Sequence, residues 1–300
     1  MTVPMSALLL VALLAAATAA LGGTRTLRRR FRRPRLIQAA ALASAALLVP
    51  PNALHAAAGT PGPAAALLLA ASLAALSTVA GLAAALRITA PPARLPRRVL
   101  AVGAHPDDVE LACGGTLLRL VDSGHEVRVL VMSRGGAGGD PATRAREATA
   151  GGLFLGVTGV EVLDLPDTRL AAHENEMAAA IEEAIRRYRP DIVFTHSAND
   201  QHQDHRAVHA ATLRAGRGHP ALLCYESPSA TADFRPSVFV DIAEHLEAKV
   251  GAVAAHRGQR AKPYAREARV RGLAAFRGNQ ARLRRAEGFE PVRLPLVEES

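Results

Sequence analysis

A chain of 300 residues is too long for one small domain and has room for a catalytic core plus an appendage. Its net charge of +9 is unevenly spread: residues 1–90 hold eight Arg and no Lys, Asp or Glu, which leaves 28 basic and 27 acidic groups in the rest. That near-neutral remainder, poor in aromatics and without a basic stripe, argues against a nucleic-acid surface, and two cysteines, Cys113 and Cys224, exclude a disulfide framework or a CxxC pair.

Three apolar stretches come first, at residues 3–22, 36–58 and 63–86. Each approaches or exceeds the roughly 20 residues that cross a bilayer. The first and third carry no charge, whereas Pro50, Pro51, Asn52 and His55 interrupt the second. A cleaved signal peptide would need a basic segment ahead of the first stretch, and the residues before Ala7 have none. Seven arginines between positions 25 and 35 place that loop in the cytoplasm and the N-terminus outside. Three spans would then return the chain to the cytoplasm, in agreement with Arg87, Arg94, Arg97 and Arg98; two would leave the remainder outside. The expected organisation is a membrane region (1–90), a proline-rich linker (91–98) and a domain (99–300), in a multi-pass membrane protein whose domain faces the cytoplasm.

From residue 99 short β-rich runs alternate with longer amphipathic ones. "VLAV" (99–102), "VRVLVM" (127–132), "VEVLDL" (160–165), "DIVFTH" (191–196), "ALLCYE" (221–226) and "SVFVDI" (237–242) are predicted strands. Helical stretches lie among them at 114–124, 143–156 and 174–190. This alternation implies βαβ units, hence an α/β, Rossmann-like, mostly parallel sheet with helices on both faces. A dinucleotide site is excluded at the first strand-to-helix turn. GxGxxG is needed there, and the chain has "GAHPDD", with carboxylates where a phosphate would sit. The loop "RGGAGGD" (134–140) follows the second strand and lacks the Lys of a P-loop.

That first turn, within "GAHPDDVELACGG" (103–115), gathers His105, Asp107 and Asp108. A second cluster, His202, Asp204 and His205 in "HSANDQHQDHRAVH" (196–209), follows the fourth predicted strand. In the doubly wound order 3-2-1-4-5, strands one and four are neighbours at the switch point, so both clusters open onto one crevice. Two histidines and a carboxylate suit a divalent metal, either a hydrolytic zinc or a non-haem iron. The surplus residues supply what hydrolysis also needs, a base for water and an acid or stabiliser for the tetrahedral intermediate. Taken singly, Asp107, Asp108 and Asp204 have a plainer reading as helix caps. His125, His173, His209, His219 and His245 lack such a context and read as fillers.

"AHPDD" (104–108) with "HQDH" (202–205) resembles the PIG-L (LmbE-like) family of zinc-dependent N-acetylglucosaminyl deacetylases. The resemblance covers residues 97–295, including "RAREATAGGLFLGV" (144–157), "AEHLEAKVGAVAAHRGQ" (243–259) and "AEGFE" (286–290), and leaves out residues 1–90. It implies that His105, Asp108 and His205 are metal ligands, for Zn2+ or another divalent ion such as Fe2+, and that Asp107 is the general base. It also implies that His202 is an imidazolium that stabilises the oxyanion and protonates the leaving amine, with Asp204 holding its charge and tautomer. Arg144 matches a substrate-contacting arginine. Gln203 stands where many members have Pro, and Asp200 where some have Tyr, so a donor to the oxyanion is missing there. The implied activity is removal of an N-acetyl group from an N-acetylglucosaminyl-type substrate, small or lipid-linked, by a membrane-tethered hydrolase. The alternatives are hydrolysis of another amide on the same site and a catalytically silent, membrane-bound sugar-binding protein.

Overall fold

The computed structural model describes residues 2–58 and 62–295. Residues 59–61 of the expected membrane region and 296–300 of the expected domain lie outside them. The chain forms two compact units that divide between Ile88 and Thr89.

The first unit is helical: α1 (Thr2–Gly22), α2 (Thr24–Arg30), α3 (Pro34–Ala58) and α4 (Pro63–Ala85). Three stretches, Met5–Gly22, Pro34–Ala58 and Pro63–Ala85, are long and apolar enough to cross a membrane. The features that interrupt the second stretch are absorbed in place. α3 continues through Pro50 and Pro51, and Asn52 donates to Leu48 O and to Ser72 Oγ on α4 (2.8 and 2.9 Å). A polar side chain on an apolar helix thus finds its partner on the neighbouring helix. Phe31 bridges Arg87, so the arginine-rich turn and the end of α4 share one end of this unit.

The second unit runs β1 (Arg98–Gly103), α5 (Asp108–Asp122), β2 (Glu126–Val131), α6 (Pro141–Leu155), β3 (Gly159–Val162), α7 (Glu174–Tyr188) and β4 (Ile192–His196). It continues through α8 (Gln203–Ala215), β5 (Leu222–Tyr225), β6 (Val238–Asp241), α9 (Leu246–Val253), α10 (Glu267–Gln280) and β7 (Ala286–Arg293). The seven-stranded sheet has the order β3-β2-β1-β4-β5-β7-β6. Its first five strands are parallel, and β7 is antiparallel to both neighbours. Alternate residues of β1 feed opposite faces. Val99 and Ala101 pack with Val109, Leu117 and Leu155 under α5 and α6, while Leu100 and Val102 pack with Met177, Ile181 and Val208 under α7 and α8.

α5 is broken at Cys113 (φ −129°, ψ 15°). Glu287 of β7 repairs the break by accepting from the amides of Gly115 (2.9 Å) and Thr116 (2.6 Å), and Lys249 of α9 reaches Ala112 O and Glu287. Because Glu287 is buried, its removal strands a lysine charge and two amides. Glu287→Ala is expected to cost about 3–5 kcal/mol of stability, measured by denaturant unfolding. Lys249→Met should cost less, since Glu287 keeps both amides.

Candidate active site

β1 and β4 lie side by side and end at the same edge, so the loops that leave them share one crevice. In the first loop Asp107 adopts a left-handed conformation (φ 105°, ψ −20°) and makes no capping bond to α5. Its role as a simple cap is therefore ruled out. Such a backbone costs a non-glycine residue on the order of 1–3 kcal/mol and is found where a site over-determines it. Asp108 Oδ2 holds the turn by accepting from the amides of Ala104 (3.0 Å) and His105 (2.7 Å). In the second loop the cap of α8 is His202, whose Nδ1 accepts from the Asp204 amide (3.2 Å).

The first three expected ligands come together around Asp108. Its Oδ1 lies 3.4 Å from His205 Nε2, and its Oδ2 lies 3.6 Å from His105 Nδ1. The far nitrogens of both imidazoles are tied to carboxylates. His205 Nδ1–H donates to Asp200 (2.9 Å), and His105 Nε2–H faces Asp167 (3.0 Å) and Asp204 (3.1 Å). Those bonds fix the orientation of both rings and turn His105 Nδ1 and His205 Nε2 toward the Asp108 carboxylate. This is the outer shell that metal-bound histidines require. Among the described residues His105, His202 and His205, or Asp108, His196 and His205, or His105, Asp167 and Asp204 each bring three donor atoms within 4.8 Å of one another, so the cluster fits a divalent metal. His196 Nε2 lies 3.1 Å from Asp108 Oδ2 and packs against it. The His205 ring is stacked between His196 (3.9 Å) and His202 (4.5 Å).

Charge is divided sharply between the adjacent aspartates. Burial works against Asp108, but His205 and His196 hold it well below the usual carboxylate range. Burial and the Asp108 charge push Asp107 up to about 7, against the pull of His256 and Arg144. Neighbouring carboxylates driven apart in this way mark acid–base assignments. Asp107 Oδ2 is buried and has no hydrogen-bond partner among the described residues. Burial, then His205 and His105, lowers His202.

Two residues make contacts beyond those the resemblance implied, and Arg144 also lines the cavity. The Asp204 carboxylate makes no hydrogen bond to the His202 ring, which its backbone amide meets instead. Its oxygens go to His105 and to the amides of Thr168 (2.8 Å) and Leu170 (3.1 Å), loop donors that would otherwise be unpaired. Arg144, only 6% exposed, braces the Asp107 turn: Nη1 donates to Gly135 O, and Nη2 donates to Pro106 O and, at 3.4 Å, approaches Asp107 Oδ1. The glycine-rich loop follows from this. A Cβ at Gly135 or Gly138 would collide with the guanidinium.

Asp167 and His196 were not singled out in sequence, and Asp200 was named only for the Tyr that it replaces. Asp167 could have been, since it follows the third strand and so opens onto the same edge. Asp200 accepts from Ser227, Ser229 and His205, a convergence visible only in three dimensions. Asp200→Asn is expected to weaken metal affinity about 10–100-fold, as read by metal titration, with activity recovering at higher metal concentration. The five histidines read as fillers make structural bonds, such as His219 to Pro190 O and His245 to Asp122.

The site residues line a cavity of about 340 Å³, walled by Ala137, Thr168, Ser229, Lys262 and Tyr264. That volume lies in the range of small-molecule sites.

The family model described as GlcNAc-PI de-N-acetylase, PIG-L, matches residues 100–216. The chain is 37% identical over 166 residues to the uncharacterized deacetylase YaiS of Escherichia coli, covering 53% of this chain and 90% of that protein. It is 29% identical over 228 residues to the diacetylchitobiose deacetylase of Thermococcus kodakarensis, covering 65% of this chain and 83% of that enzyme. Among solved structures, a conserved protein from Thermus thermophilus superposes with a TM-score of 0.59 at 30% identity, over 68% of this chain and 97% of that one.

Proposed function

Because the chain belongs to the PIG-L family, whose curated relatives are named as deacetylases, we propose that it is a metal-dependent hydrolase that removes the N-acetyl group from an N-acetylglucosaminyl conjugate. The observation that carries this reading is the convergence of His105 Nδ1, His205 Nε2 and Asp108 beside the unpartnered oxygen of Asp107. His105, Asp108 and His205 would hold a divalent metal, zinc by the chemistry of the donors, which would supply Lewis acidity toward water and the acetamide carbonyl.

Asp107 takes the proton of the attacking water, and burial raises it above the usual carboxylate range, as a general base requires. The proton it gains is the one the departing sugar amine needs. His202 accepts at Nδ1 from the Asp204 amide, so its hydrogen sits on Nε2. We therefore read it as a neutral donor to the carbonyl oxygen as charge builds there, in place of an imidazolium. Arg144 keeps the Asp107 turn in position, and Asp200 and Asp204 orient the two ligating imidazoles.

We further propose that the apolar helices α1, α3 and α4 span a membrane, with the arginine-rich turn and the C-terminal unit on the cytoplasmic side. A cytoplasm-dependent reporter fused to the C-terminus is expected to be active, and activity of an export-dependent reporter would overturn this topology. The enzymatic reading is tested by incubating the purified full chain, loaded with Zn2+, with a panel of N-acetylglucosaminyl conjugates. Acetate and free amine should appear together for at least one of them. A folded, metal-loaded protein that releases acetate from none would contradict it.

A further inference from the structure

The segment "AEGFE" (286–290) lines no part of the cavity, yet both of its glutamates reach elements that carry the site. Glu287 mends the break in α5, the helix that opens on Asp108. Glu290 acts on the second loop. Its Oε2 accepts from Ser197 Oγ (2.6 Å), and its Oε1 accepts from Asn199 Nδ2 (3.1 Å) and from the Arg235 amide (2.7 Å). Ser197 Oγ in turn accepts from the Asn199 amide (2.9 Å). Both carboxylate oxygens are therefore used, and they join two segments: the loop that follows β4 and the one that leads from β5 to β6.

Between those anchors the two segments pair in antiparallel fashion. The Thr231 amide donates to Asn199 O (2.9 Å), the Gln201 amide donates to Ser229 O (3.0 Å), and Asp200 is bridged to Ala230. Asp200, at the centre of this ladder, is the residue whose carboxylate faces His205 Nδ1 and collects the hydroxyls of Ser227 and Ser229. So short a ladder is marginal by itself. Glu290 closes it with hydrogen bonds to a charged acceptor, about twice as strong as neutral ones. We propose that Glu290 is a positioning residue for the metal site: by clamping the two loops together it fixes the Asp200 carboxylate against His205, and so sets metal affinity without touching a ligand. The inference rests on the metal-dependent reading above.

The test is a double-mutant cycle on the purified full chain, with Zn2+ affinity read by competition against a chromophoric chelator. Glu290→Ala is expected to weaken binding about tenfold, the low end of the range for outer-shell partners, because it acts one step further out. Glu290→Gln should recover most of that loss, since its amide oxygen still accepts from Asn199 and Arg235. In an Asp200→Asn background Glu290→Ala should cost less than about twofold more, because the residue it acts through is already disabled. Denaturant unfolding of the metal-free proteins reads any loss of stability separately. Wild-type Zn2+ affinity in Glu290→Ala, or losses that multiply in the double variant, would overturn the role of Glu290. A wild type that binds no Zn2+ would overturn the metal-dependent reading, and this inference with it.

Discussion

Asp107→Asn is expected to lower turnover by about 10²–10⁴-fold, the usual contribution of a general base, while metal content and fold stay as in the wild type. The substitution keeps the shape of the side chain and an oxygen for Arg144 Nη2. Asn is among the few residues that tolerate the left-handed backbone found here. The side chain caps nothing and bonds no amide, so its loss unpicks no local structure. What disappears is a carboxylate held near neutrality with one oxygen free. The assay is kcat measured alongside metal content. If Asp107→Asn emptied the site while Asp108→Asn kept it filled, the assignment of base and ligand would be reversed.

His205→Ala is expected to empty the site and abolish activity. His205 is the only one of the three ligands that reaches Asp108 from the second loop, and two remaining protein donors rarely hold zinc tightly. The change also removes one of the partners of Asp200 and the middle ring of the histidine stack. Some loss of stability should therefore accompany the loss of metal, and circular dichroism is needed beside the metal assay. His202→Ala is the contrast: its Nδ1 only caps α8, so metal should remain while the rate falls. Metal retained at wild-type level in His205→Ala would remove that residue from the ligand set.

The central sheet and the two halves of the site were legible in sequence because both depend on local pattern. Strands β1, β4 and β5 are buried along nearly their whole length, so they appear as continuous apolar runs, and residues at the carboxyl ends of β1 and β4 converge by topology alone. β7 was not read as a strand. "AEGFEPVR" contains Gly288 and Pro291, and its Glu287 points inward to mend a helix break at Cys113 that no local pattern announces. The roles of Asp204 and Arg144 could not be read for a related reason. Each side chain is claimed by amides or carbonyls of loops distant in sequence, Thr168 and Leu170 for one, Gly135 and Pro106 for the other. Spacing shows which chemistry is present; only the fold shows which atom faces which.

Metal dependence of acetate release is the most direct test. Full-length protein is assayed on an N-acetylglucosaminyl conjugate as purified, after chelation to a verified metal-free state, and after Zn2+ is returned. Release is expected to fall to background on stripping and to recover on reloading, because outer carboxylates hold His105 and His205, and backbone amides hold Asp108, without the ion. Undiminished acetate release by protein shown to be metal-free would contradict the account.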